Sequence, residues 1–221
     1  MPETIEAKAP AGAGLWRLLF LIAMAVPATI TVAFLTLLVV MRPFWIPSGS
    51  MEPTLRVGDY AWAWRQENYR PHRGDIIVFR GVRNPDAYYI SRLIGLPGDR
   101  VQMRQGRVVL NGKLLPQERI EPFRETDYEG QVHEVTQYKE TLPDGVTYHT
   151  LDRAETLLDN TAPLEVPEGA VLILGDNRDN SSDSRDPNGD HGFVPLHHVE
   201  GRMALVLFST ADLWRLLVVP Q

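Results

Sequence analysis

YYISRLIGLPGDRVQMRQGRVVLNGKLL, residues 88–115, decides the fold class of this 221-residue chain. Its opening part, 88–96, is rich in aromatic, β-branched and leucine side chains and ends at Leu96-Pro97-Gly98-Asp99, a turn sequence. From 100 to 115 the residues alternate around Gln105-Gly106 and Asn111-Gly112, dipeptides suited to the positive φ of tight hairpins. The expectation is a compact antiparallel meander. Working outward, 59–64 (DYAWAW) and 75–79 (DIIVF) read as strands on the N-terminal side, and Ala170–Leu174 and Arg202–Phe208 as strands on the C-terminal side. Glycine and proline number 17 each and cluster after residue 42, as short strands joined by turns require.

Two regions stand apart from this mainly β pattern. Between 116 and 168 the chain is charged, polar and proline-punctuated, with weak strand signals at 133–139 and 146–151. It reads as a cap-like subdomain inserted between core segments 42–115 and 169–212. At the other extreme, Leu18 to Met41 contains no charged side chain over 24 residues, and a helix of that length reaches about 36 Å, enough to cross a bilayer. Pro27 lies within it, and Trp16, Arg17, Arg42, Phe44 and Trp45 flank it as interfacial anchors. A cleaved signal peptide has a shorter apolar region that ends in a small-x-small site, and no such site closes this run. Residues 1–17 then form a short tail, and 213–221, with Leu213, Trp214, Leu216, Leu217, Val218 and Val219, an apolar C-terminal tail too short to span. That tail would dock on the domain or on the membrane surface. Lys8 and Arg17 before the span against Arg42 after it favour a cytoplasmic N-terminus and an extracytoplasmic domain.

Composition narrows the chemistry. Hydrophobic residues make up 44%, enough for one anchor and a sizeable core. The net charge of −6, from 22 basic and 28 acidic residues, provides no cationic footprint for nucleic acid. Cysteine is absent, which removes disulfides, thiolate metal sites and thiol nucleophiles together.

Three segments carry the candidate chemistry. Residues 47–55, PSGSMEPTL, place Ser48 and Ser50 about a glycine, so a carbonyl could approach Ser50 while nearby donors receive an oxyanion; a plain polar linker has the same composition. Residues 175–185, GDNRDNSSDSR, alternate acids and arginines, which suits a buried charge-paired scaffold. The continuation through Asp186, Asn188 and Asp190 invites a calcium reading, but His191 and His197 stand where that loop needs glycine and glutamate. Residues 89–99, YISRLIGLPGD, are on their own a strand and a turn.

In this order, with RGDIIVF at 73–79 and HGFVP at 191–195, these segments resemble the bacterial type I signal peptidases, membrane-bound endopeptidases that use a Ser/Lys dyad to remove signal peptides from exported preproteins. The resemblance covers most of the chain. It implies a signal-peptidase-type antiparallel β catalytic core with an inserted cap subdomain and one transmembrane helix, located in the bacterial inner membrane. It implies Ser50 as nucleophile, Ser48 and the Ser50 N–H as oxyanion donors, and Ser181 as the residue that orients the base. It also implies structural ion pairs Arg92–Asp176 and Asp183–Arg185, and Phe44, Ile46, Pro47 and Ile90 beside the pockets for small residues before the cleavage point. Implied partners are signal peptides, membrane lipid and the export machinery, with no metal or cofactor.

One position departs from the family. Where the family carries its general-base lysine, this chain has Ser91, whose hydroxyl has no comparable basicity. Lys8, Lys113 and Lys139 all lie elsewhere, as do His72, His133, His149, His191, His197 and His198. His191 follows the 175–185 loop most closely, although a histidine in such a loop is more often a surface or packing residue than a surrogate base. Three explanations stand open: an introduced inactivating substitution, a non-cleaving paralogue that binds preproteins or export partners, and an active variant with another base.

Overall fold

The structure, a computed structural model, describes residues 13–65, 69–126, 131–186 and 191–220. Lys8 of the N-terminal tail and Asn188 and Asp190 of the acidic run lie outside the described residues. The chain divides into two compact units, 1–41 and 42–221.

The first unit is built on α1 (Ala13–Val40), a 28-residue helix with Pro27 inside it. Residues Gly14–Leu37 have a mean hydropathy of 2.5, long and apolar enough to cross a membrane. Met41, expected as the last residue of the span, is instead the first residue of a strand. An apolar run cannot by itself reveal where helix gives way to strand.

The second unit is mainly β. In chain order it contains all but the first residue of β1 (Met41–Trp45), then β2 (Asp59–Arg65), β3 (Ile76–Arg80), β4 (Tyr88–Gly95), β5 (Arg100–Arg104), β6 (Arg107–Leu110) and β7 (Lys113–Leu114). There follow β8 (Gln117–Arg119), β9 (Phe123–Thr126), β10 (Val132–Thr141), β11 (Thr147–Asp152), β12 (Leu164–Glu165), β13 (Ala170–Leu174), β14 (Val194–Pro195) and β15 (Val199–Ser209). The hairpins at 105–106 and 111–112 form as the sequence requires, with φ of 51° at both Gln105 and Asn111 and positive φ at the glycine after each.

These strands form three sheets. The largest runs β1-β2-β15-β3-β4-β13-β14, so the two ends of the domain meet in its middle. The meander β5-β6-β7 pairs with β12 as a separate sheet, and β8, β9 and β11 gather around β10.

The large sheet is covered on both faces, which explains the unbroken apolar runs IIVF and AVLIL. On β3, Ile76 and Val78 join a cluster with Ile46, Met51, Leu55 and Val206. Ile77 and Phe79 point the other way, into a cluster with Leu93, Val171, Ile173 and Val194. A third cluster packs Ile94, Leu172 and Leu174 against the meander and against Leu142 and Tyr148 of the 116–168 segment.

Candidate active site

The segment after β1 stays tied to the start of β2. The Ile46 N–H donates to the Asp59 carbonyl at 2.9 Å, and Met51 and Leu55 are sunk into the core beneath it. Between those apolar anchors the backbone turns, with the Glu52 N–H donating to the Gly49 carbonyl at 3.1 Å, and Ser48 and Ser50 stay at the surface of a cleft. Their hydroxyl oxygens are 3.3 Å apart, within hydrogen-bonding distance.

The loop after β13 closes on this turn from the far side. Asn177 donates twice, from its N–H to the Ser50 carbonyl at 3.0 Å and from Nδ2 to the Gly49 carbonyl at 2.9 Å. Gly175 has no room for a side chain, since a Cβ there would lie 2.2 Å from Ser181 Oγ and 2.8 Å from the Ser50 carbonyl oxygen. Leu174 pairs with Arg92 across β13 and β4, so Gly175 comes next to Ser91. Ser50, Ser181 and Ser91 thus converge on one glycine.

The cleft has a volume of about 560 Å³. Phe44, Ile46, Pro47 and Ile90 supply apolar wall, and Ser48, Ser50, Ser91 and Ser181 supply hydroxyls. Ser91 is only 5% exposed. Among the lining residues that the sequence reading of the pocket did not include are Tyr88, Tyr89, Asn180 and His191. Tyr88 meets Phe44 edge to face at 5.9 Å, and His191 packs against Tyr89 at 4.2 Å and Phe79 at 5.3 Å between ring centroids. Asn180 could have been suspected from its place beside Ser181 in GDNRDNSSDSR; nothing in sequence marked the burial of His191. No lysine among the described residues lines the cleft, because Lys113 and Lys139 are exposed on β7 and β10.

Behind the hydroxyls lies a layer of buried charge. Arg92 grips Asp176 through Nε and Nη2, both at 2.7 Å, and each residue is 1% exposed. The same carboxylate accepts from the Thr54 hydroxyl at 2.5 Å, and Arg92 donates to the Gly74 carbonyl at 2.8 Å while lying 4.3 Å over the Tyr148 ring. Burial alone would make Arg92 easier to deprotonate, but the Asp176 charge outweighs it and keeps the guanidinium ionised. Asp183 pairs with Arg185 at 2.8 Å and accepts the Gly175 N–H at 3.0 Å. Arg178 pairs with Glu140 of β10 at 2.7 Å, and the Tyr148 hydroxyl donates to the same carboxylate. Burial pushes the Tyr148 phenol well above its usual range, and the Glu140 charge pushes it further.

Glu52 is the perturbed carboxylate closest to the serines. Burial raises its pKa first and the Glu125 charge second, against the opposing pull of Arg153. Its side chain lies against the Gly49 backbone, outside the cleft lining. For cations, no group of three or more His, Asp or Glu among the described residues is placed to hold a metal ion.

The signal peptidase, peptidase S26, family model matches residues 17–208. Signal peptidase I of Rickettsia canadensis (strain McKiel) is 34% identical over 214 residues, covering 84% of this chain and 78% of the relative. Signal peptidase I of Rickettsia akari (strain Hartford) is 35% identical over the same coverage. A crystal structure of a signal peptidase I from Enterococcus faecalis V583 is 30% identical, covering 61% of this chain and 97% of that one, with a TM-score of 0.36. By the extent of the family match and the identity with full relatives, the chain belongs to the signal peptidase family, peptidase S26.

Proposed function

We propose that this chain removes N-terminal signal peptides from exported preproteins, cutting after a small-x-small motif through an acyl-enzyme on Ser50. The observation that carries the reading is the placement of Ser50 and Ser48, 3.3 Å apart, at the mouth of an apolar cleft. An extended peptide laid along β4 and the 44–48 segment would put a small side chain against Ile46, Pro47 and Ile90. Its carbonyl would then face Ser50, with the Ser50 N–H and the Ser48 hydroxyl as oxyanion donors. Ser181, packed against Gly175, holds the base side of the site in register. The ion pair Arg92–Asp176 ties β4 to the loop after β13, and Asp183–Arg185 braces that loop. No cofactor enters this scheme.

Anchoring by α1 supports a substrate that is itself embedded in the membrane. The charge bias across the span favours a single pass with the catalytic domain outside the cytoplasm. The division that accompanies this reading takes 116–168 as a cap inserted into a core of 42–115 and 169–212.

Ser91 favours a second reading, a non-cleaving protein that holds preproteins or export partners in the same cleft. The two separate when the purified full-length chain in detergent is incubated with a preprotein bearing alanine before the cleavage point. Cleavage that disappears in Ser50→Ala establishes the peptidase; binding of the preprotein without any product, in parent and variant alike, establishes the second reading.

A further inference from the structure

We propose that His191 is the proton acceptor for Ser50, with the Ser91 hydroxyl passing the proton between them; this rests on the peptidase reading above. A serine becomes a competent nucleophile only when a neighbouring group takes its proton. The described residues lining the cleft include no Lys, Arg, Asp or Glu. Beyond hydroxyls, carboxamide and apolar carbon, they offer two phenols, Tyr88 and Tyr89, and one imidazole, His191. The imidazole is the side chain that ordinarily changes charge between about pH 5 and 8.

The strand geometry gives the route. Side chains alternate along β4, so Tyr89 and Ser91 share a face about 6–7 Å apart. Phe79 and Ile77 lie opposite them on β3. His191 packs its ring on Tyr89 and Phe79, which lie two residues from Ser91 on β4 and two residues from Ile77 on β3. Ser91 in turn sits beside Gly175, the residue against which the Ser50 carbonyl and Ser181 close. Ser50, Ser91 and His191 all line this cleft.

His191 is also held in place. Ser184 accepts the Ile173 N–H at 3.0 Å and its hydroxyl donates to the Gly192 carbonyl, tying the residue after His191 to β13. The ring is 4% exposed, so it is fixed by packing and yet borders the cleft. The titratable group seen against the ring is the Tyr89 phenol from β4; its own loop also carries Asp186 and the mutually paired Asp183 and Arg185. β3 presents only Phe79.

The step balances without a co-reactant. Ser50 Oγ bonds to the scissile carbonyl carbon, its proton moves to the Ser91 oxygen, and the Ser91 proton moves to the imidazole. On collapse of the tetrahedral intermediate the C–N bond breaks, and the imidazolium returns its proton through Ser91 to the leaving amine. Water then repeats the sequence to release the acyl group and restore the starting protonation.

The test compares kcat/KM for preprotein cleavage by the full-length chain and its variants from pH 5 to 9. His191→Phe keeps an aromatic ring on Tyr89 and Phe79 and removes the base; kcat is expected to fall about 10²–10⁴-fold with KM little changed. The rise in rate with pH should go with it. Ser91→Ala is expected to fall similarly. Added imidazole should restore part of the activity of His191→Gly, which a purely structural loss would not allow. The double variant Ser91→Lys, His191→Phe should cleave, which shows that the fold and pockets survive the loss of the histidine. Full activity with an unchanged pH profile in His191→Phe or in Ser91→Ala overturns the proposal. So does a parent chain that is inert while Ser91→Lys cleaves, which leaves the peptidase cleft standing without a native base. If Ser91→Lys is inert as well, the peptidase reading falls with it.

Discussion

The cleft and the layer behind it handle polarity in opposite ways. In the lining, the described polar groups are hydroxyls, a carboxamide and an imidazole set in apolar wall, with no fixed charge. A few ångströms behind, Arg92, Asp176, Arg178, Glu140, Asp183 and Arg185 are all buried, and each has a charged partner of opposite sign. Buried charges are costly unless matched; Arg92–Asp176 and Arg178–Glu140 fasten segments that are distant in sequence, while Asp183–Arg185 braces its own loop. The neutral lining leaves room for a peptide whose small side chains bring no charge. A family that places a buried lysine in such a lining depends on burial to lower its pKa. In this chain that depression has nothing to act on at position 91.

Substitutions can break this contrast, beginning in the cleft. Ser50→Ala should abolish cleavage, a loss on the order of 10⁴-fold or more in kcat, read in the preprotein assay. In the charged layer, Asp176→Ala strands Arg92 and should cost about 3–5 kcal/mol in stability, measured by denaturant unfolding in detergent. The double change Arg92→Met, Asp176→Leu should cost less than Asp176→Ala alone, because no uncompensated charge remains. If the two are equally damaging, hydrogen bonding to Gly74 and Thr54 outweighs the charge itself.

Gly175→Ala tests the seam between the two regions. The added carbon meets Ser181 Oγ and the Ser50 carbonyl, and overpacking of this kind costs about 1–3 kcal/mol. Activity should fall by more than the melting temperature suggests, since both displaced groups belong to the cleft.

The smallest effect is expected at Glu52. Its folded-state pKa is raised, so the native state keeps a proton that the unfolded chain has released. Its contribution to stability is full below the unfolded value of about 4.3 and falls as pH rises through the folded one. Glu52→Gln should therefore match the parent near pH 4 and become the more stable of the two toward neutrality, as melts across that range will show.

Alternation and turn chemistry made most of the strands legible. The 105–106 and 111–112 hairpins were readable because positive φ leaves a clear residue signature. The weak signal at 133–139 understated β10, which extends over Val132–Thr141, whereas that at 146–151 meets β11, Thr147–Asp152, to within one residue. Their faces are charged because Glu140 is used against Arg178, a pairing across 38 residues that no local pattern encodes. The separation of the meander into its own sheet with β12 was also hidden, since pairing partners are a tertiary property. In the site, Ser48 and Ser50 could be found from a local motif, whereas Asn177 and His191 enter it through folding. A histidine beside a polar loop reads as surface until the rings of Tyr89 and Phe79 are seen beneath it.

The bond from Asn177 Nδ2 to the Gly49 carbonyl joins residues 128 apart, and with it comes a delay. At roughly 5–20 residues per second, a ribosome needs about 6–26 s to add that much chain after the serine turn has been made. Throughout that interval the serine turn lacks the loop that closes on it, and long-range closures of this kind are among the slower folding events. The nascent chain is thus born without a working cleft and acquires one only when its final quarter arrives.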